Sequence, residues 1–206
     1  AVAAAKTDAE RTAEEYAKSK FATQPTLVFK GTSGPAVFAW QMKPASLPVA
    51  PRDRDIVIMV DTSASQAGQP LKQARQIIAA LAQTAGTQDR INVWTVNLDH
   101  KEGTRSLTGG FKPANSDAVQ TAAAALTETE FAAGATDLKA GFEQVLGTFE
   151  KNPGKQQILL LLGDGESSAS KTPLDEAARV DLGKRLEEAD ISFFAVPLGL
   201  KVNAHN

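Results

Sequence analysis

The stretch that decides the fold runs Asp55-Ile56-Val57-Ile58-Met59-Val60-Asp61-Thr62-Ser63-Ala64-Ser65. Ile56–Val60 is an unbroken apolar run, the pattern of a parallel strand covered on both faces. At Asp61 the chain turns polar, and Asp61, Ser63 and Ser65 recur at every other position. In extended or turning backbone, residues two apart point to one side. Three oxygen-bearing side chains can therefore converge at the end of a buried strand.

Downstream, strand and helix patterns alternate. Leu71, Ala74, Ile78, Leu81 and Ala85 recur at helical spacing, so Leu71–Ala85 reads as a helix. Ile91–Val96 reads as the next strand, and Thr104–Leu107 as an edge strand. Asp117–Leu126 and Leu138–Phe149 read as helices, the second broken by Asn152-Pro153-Gly154. Gln157–Leu162 is the most apolar strand. Leu174–Ala189 reads as a helix capped by Thr172, with Pro173 at its first position, and Ile191–Val196 as the last strand. This alternation predicts an α/β fold: a doubly wound, mostly parallel sheet with helices on both faces.

Upstream lies a different kind of chain. Thr7–Lys20 reads as a helix with capping-box spacing between Thr7 and Glu10 and an Ala-rich stripe. Two short strands, Thr26–Lys30 and Val37–Met42, flank the turn residues Gly31–Pro35, and Pro44, Pro48 and Pro51 mark an extended linker. Residues 1–53 are thus expected to form an N-terminal helix and strand extension, packed on the core or on another subunit, and 54–206 the main domain.

Composition removes several function classes. The 206 residues contain 22 Lys and Arg against 24 Asp and Glu, a net charge of −2. No basic field exists to hold nucleic acid, and basic residues are not interleaved with aromatics. Cys is absent, which excludes thiolate metal sites and Cys nucleophiles. His occurs only as His100, read as a solvated loop residue, and His205, read as mobile near a terminus, which excludes a zinc site of several imidazoles. The longest apolar run is far short of the ~20 residues of a membrane helix, so no membrane insertion is expected. Trp40 and Trp94 fall in strand patterns and are expected to pack in the core or at an edge.

In an open α/β sheet, ligands bind beyond the carboxyl ends of the strands. Besides Asp61, Ser63 and Ser65, those ends carry Gly163-Asp164-Gly165 after the most apolar strand, and Gly134-Ala135-Thr136-Asp137 precedes the Leu138 helix. Such oxygen-only donors suit a hard divalent cation, Mg2+ or Mn2+. Thr136 also suits a helix N-cap, and Asp137 reads as a first-turn acid stabilised by the helix dipole. Gly165–Thr172 resembles a phosphate-binding loop in its placement, but Ser170 stands where close backbone approach needs glycine, and Pro173 removes a donor.

Asp55–Ser65, then Thr136, then Asp164-Gly165 resemble the von Willebrand factor A domain over residues Arg54 to Leu200. In that family Asp-x-Ser-x-Ser, a distant Thr and a distant Asp form the metal-ion-dependent adhesion site. The resemblance implies that Ser63, Ser65 and Thr136 bind the ion directly, and that Asp61 and Asp164 do so directly or through water. It departs from the family at Gly163, where Thr or Ser is common and a hydroxyl would be lost. It departs again at Asn206, where the family continues into a last helix, so a longer precursor or a larger assembly is expected.

The function implied is non-catalytic: a metal-dependent protein-binding module whose cation bridges to an Asp or Glu carboxylate of a partner, in adhesion, envelope assembly or scaffolding. The alternatives are a Mg2+-dependent hydrolase or nucleotide-binding protein, and a structural subunit with an empty site. Ala1-Val2-Ala3 are small residues of the kind that flank a signal-peptidase cut, which favours an extracytoplasmic or cell-envelope location.

Overall fold

The computed structural model describes residues 26–29, 37–40, 52–98, 104–130, 132–150, 154–168 and 174–199. The helix expected at Thr7–Lys20, the proline linker, His100, His205 and the Thr172–Pro173 cap lie outside these residues. The chain divides into two units, Ala1–Ala50 and Pro51–Asn206.

In the first unit, β1 (Thr26–Phe29) and β2 (Val37–Trp40) pair antiparallel, with Thr26 opposite Trp40 and Phe29 opposite Val37. Trp40, expected to pack, is instead 61% exposed, and Phe38 is 71% exposed.

The second unit is built on the apolar run quoted above. It forms β3 (Arg54–Asp61), the middle of a six-stranded sheet. β4 (Arg90–Val96) lies parallel on one side of it and β7 (Gln156–Gly163) parallel on the other, with β8 (Ile191–Pro197) parallel beyond β7. Two short strands, β5 (Arg105–Ser106) and β6 (Lys112–Pro113), run antiparallel to β4. β5 is the expected edge. β6 has no sequence signal, being two residues long and half proline.

Period-two alternation sorts β3 between two cores. Ile56, Ile58 and Val60 face α1 (Gln69–Thr84) and α2 (Asp117–Glu128), where they meet Leu71, Ile78, Val119 and Leu126. Val57 and Met59 face α3 (Leu138–Leu146) and α4 (Glu176–Glu188), where they meet Leu138, Phe142, Val145 and Leu186. The doubly wound sheet with helices on both faces is therefore present. Gly141 lets α3 lie against β4, since a Cβ there would sit 2.6 Å from Val96 Cγ1.

Some boundaries differ from expectation. α3 stops at Leu146, three residues before Phe149, and Gly147 is its C-cap. Phe149 still packs, 5.9 Å from Phe111 between ring centroids. α4 starts at Glu176, and its N-cap is Asp175, whose Oδ1 accepts from Ala178 N at 2.8 Å. An Asx side chain satisfying a free helix N–H is the stronger start signal.

At the amino ends of β3 and β4 the sequence Arg54-Asp55 meets Asp89-Arg90. Asp55 pairs across the strands with Arg90 (2.6 Å), and Asp89 with Arg54 (2.5 Å). Lys155 adds a contact to Asp55 at 3.4 Å. The crossed pairs fix the register at the end of the sheet opposite the polar loops.

Candidate metal centre

Three segments meet at the carboxyl ends of the central strands. The first leaves β3 as Thr62–Gln66 and winds into a short 3-10 turn over Ala64–Gln66. The second, residues 132–137, leads into α3. The third, residues 164–168, follows β7. The chain passes from β3 to β4 on one side and returns to β7 on the other, so the segments meet where the strand order reverses.

Backbone bonds stitch the first two together: Ala64 N donates to Gly134 O (3.1 Å) and Ala133 N to Thr62 O (3.1 Å). Buried Asn97, at the end of β4, completes the joint. Its Nδ2 donates to Thr62 O (2.7 Å) and Ala133 O (2.8 Å). The third segment reaches the second through two hydroxyls. Leu138 N donates to Ser167 Oγ (3.1 Å) and Thr136 N to Ser168 Oγ (3.4 Å), so free donors at the start of α3 are satisfied by side chains.

The five residues singled out from the sequence lie in one connected cluster. Asp61 Oδ1 accepts from Thr136 Oγ1 (2.8 Å) and from Ser63 N (2.8 Å). Ser63 Oγ lies 3.0 Å from Ser65 Oγ, and Ser65 Oγ donates to Asp164 Oδ2 at 2.5 Å. Asp164 Oδ1 accepts from Glu166 N at 3.0 Å. Ser65 is exposed, while Asp61, Ser63, Thr136 and Asp164 are buried beneath it.

Thr136 is 1% exposed and bonded to Asp61, so it is part of the buried framework. Two sequence-based expectations change here. The N-cap of α3 is Asp137, whose Oδ1 accepts from Ala140 N (3.1 Å). Gly163 is not simply a position that lost a hydroxyl: a Cβ there would lie 2.6 Å from Asp61 Cβ, closer than real Cβ atoms come. Glycine at 163 and the placement of Asp61 imply each other.

Gln66 was not read from the sequence. It is 1% exposed, and its Nε2 donates to Asp164 Oδ2 (2.9 Å), with longer contacts to Ser65 Oγ and Leu198 O (3.3 Å each). Asn97 was also missed, although its position just past a parallel strand was a usable signal.

The cluster sets two buried acids side by side. Burial raises the Asp61 carboxyl above its ordinary value of 3.8, and the neighbouring Asp164 charge adds to the rise. The bonds from Ser63 and Thr136 oppose it without cancelling it. Among the described residues, Asp61 Oδ2 is buried without a hydrogen-bond partner. A buried carboxylate oxygen without a donor is costly unless something positive meets it. Among the described residues no three carboxylates or imidazoles gather in one place; the candidate set is two carboxylates and three hydroxyls. An oxygen-only set with an orphaned carboxylate oxygen fits a hard divalent cation.

An open, doubly wound sheet with a polar cluster at its switch point is the layout in which α/β proteins bind ligands. The von Willebrand factor type A domain model matches residues 54–206, and the chain belongs to that family. Domains of this family generally act as interaction modules without enzymatic activity. No curated protein sequence matches the chain. Among solved structures it is similar to the conserved hypothetical protein BatB from Bacteroides thetaiotaomicron, with 16% identity over 69% of this chain and 65% of that one (TM-score 0.54). It is similar to the pilus adhesin SpaC from Lactobacillus rhamnosus GG, with 16% identity over 70% and 24% of the chains (TM-score 0.54). It is also similar to manganese-loaded TRAP protein from Plasmodium vivax, with 16% identity over 74% and 59% of the chains (TM-score 0.53). At these identities the likeness is one of fold. The chain spans less than two thirds of each of the three.

Proposed function

We propose that this chain is a metal-dependent protein-binding module, holding Mg2+ or Mn2+ through Asp61, Ser63, Ser65, Thr136 and Asp164 and engaging an Asp or Glu carboxylate of a partner protein. The observation that carries this reading is the buried, unpartnered Oδ2 of Asp61 within an all-oxygen cluster. When bound, the ion supplies an electron-poor position for one more anionic oxygen. The hydroxyls of Ser63, Ser65 and Thr136 are neutral donors, so they leave more of a cation's charge available than further carboxylates would. Asp61 and Asp164 supply negative charge from below. Exposed Ser65 marks the side from which a partner approaches. A charge-assisted contact desolvated on docking gives both affinity and selectivity for an anionic partner.

The manganese-loaded neighbour supports the choice of ion, and the pilus adhesin supports a role in adhesion or envelope assembly outside the cytoplasm. No helix among the described residues is long and apolar enough to cross a membrane. In the described part of the loop after β7, the Ser167 and Ser168 hydroxyls accept from backbone N–H groups at the start of α3, which ties that segment to the polar cluster.

The test is calorimetric titration with Mn2+ alongside peptide selection in its presence. Wild-type protein is expected to bind Mn2+, and Thr136→Ala to bind at least about tenfold more weakly. A selected acidic peptide should be released by EDTA, recaptured with Mg2+ or Mn2+, and not bound when its Asp is replaced by Asn. Equal peptide binding with and without EDTA would leave an ordinary protein surface and remove the ion bridge.

A further inference from the structure

The residue after Ser65 is a buried amide where the first segment curls back into the fold. Gln66 is 1% exposed, yet its Nε2 reaches a carboxylate from another part of the chain, Asp164 Oδ2, at 2.9 Å. The same nitrogen lies 3.3 Å from Leu198 O, just beyond β8, and 3.3 Å from Ser65 Oγ. Asp164 therefore has one oxygen held by Ser65 and Gln66 and the other by the Glu166 backbone N–H. With both oxygens engaged, the carboxylate plane is fixed.

We infer that Gln66 is a positioning residue for the ion site, fixing Asp164 with a neutral donor. This rests on the metal reading for its purpose, but the geometry it describes exists without the ion. Neutrality is the point of the amide. An ammonium or guanidinium at this position would hold Asp164 as well and would offset the negative charge that a cation needs. A methionine or leucine would fill the space and leave Asp164 Oδ2 with Ser65 alone. Only an uncharged donor of glutamine's length satisfies both requirements: it reaches Asp164 and leaves the acidic pair uncompensated. Groups that orient a metal-binding carboxylate typically change metal affinity by 10–100-fold when removed.

The experiment compares Gln66→Met, the milder Gln66→Asn and the control Gln157→Met. Gln157 is also a buried amide donating to a backbone carbonyl, that of Glu150, but it sits at the amino end of β7, away from the cluster. Two readouts are taken on the full chain: Mn2+ affinity by calorimetry, and hydrogen exchange of the Glu166 amide by NMR in EDTA. Gln66→Met is expected to weaken Mn2+ binding about tenfold or more and to speed exchange at Glu166. Gln66→Asn should do both to a smaller degree, and Gln157→Met neither, even if it melts lower. Should Gln66→Met fail to fold, Gln66→Asn decides by the same two readouts. Should the wild type not bind Mn2+, the metal reading falls, and the Glu166 amide alone decides whether Gln66 positions Asp164. Unchanged Glu166 exchange in a folded Gln66 variant, or Mn2+ binding as tight as wild type, overturns it.

Discussion

Burial of the Asp61 carboxyl, with the Asp164 charge as neighbour, makes its ionised form costly in the metal-free protein. A folded-state pKa raised above the unfolded one gives stability that is present below the unfolded value and is lost as pH rises through the folded value. Near neutral pH the ionised group therefore opposes folding until a cation meets it. Asp61→Asn imitates the protonated form at every pH. We expect Asp61→Asn to abolish Mn2+ binding and yet to melt no lower than wild type in EDTA at pH 7, checked by calorimetry and thermal melting. A clear loss of metal-free stability would mean that the carboxylate is structural. Asp61, Ser63 and Ser65 were legible because oxygen side chains at alternate positions after an apolar run leave a visible pattern, and Thr136 and Asp164 because they stand where an apolar helix pattern begins and an apolar strand pattern ends. Gln66 was not, because a single amide has no periodicity, and its role depends on a partner 98 residues away in sequence. Thr136 was legible as a residue but not in its burial, since burial depends on the neighbouring segments packing over it.

Strands β3 and β4 are joined at their amino ends by the crossed Arg–Asp pairs. Burial pushes Asp55 up, but the hydrogen bonds and charge of Arg90, with help from Lys155, outweigh it and hold the carboxyl below 3.8. Asp89 is likewise held down against burial by Arg54 and by the Gly86 and Arg54 backbone N–H groups. A depressed carboxyl pKa contributes stability above the unfolded value, lost as pH falls through the folded one. The protein should therefore weaken progressively below about pH 4. Asp55→Asn should cost about 1–3 kcal/mol at pH 7, reduced from the ~3–5 of a fully buried pair because Arg90 is about a third exposed. The variant should also show a shallower loss between pH 5 and pH 3, measured by urea denaturation across that range. An unchanged pH slope would place the acid sensitivity elsewhere. Apart from the two-residue β6, strand and helix existence in this unit followed from the sequence pattern. Ends did not, because capping side chains such as Asp137 and Asp175 act locally and leave the apolar pattern unaltered.

At the scale of the whole molecule, the sheet order β5-β4-β3-β7-β8 brings distant segments to one end of β3. The alternation of elements announced this architecture, since parallel strands require crossovers. The exposure of Phe38 and Trp40 was not legible: such residues look like a core in sequence, and only the structure shows them accessible to solvent. One feature of the cluster also bears on time. Ser65 and Asp164 touch across 99 residues of chain, and Asp61 and Thr136 across 75. Closing loops of that span is an entropic cost met by the β3–β7 ladder, so an ion has nothing to grip until that ladder is complete. On the proposed metal reading, capture of the ion would time the last stage of folding, and the ion would act as a latch rather than a template. Stopped-flow refolding rates should be the same within about twofold with Mn2+ or EDTA. Unfolding should be slowed by up to about a hundredfold when Mn2+ stands at a hundred times its dissociation constant. Faster refolding in Mn2+ would mean that the polar segments gather before the sheet does.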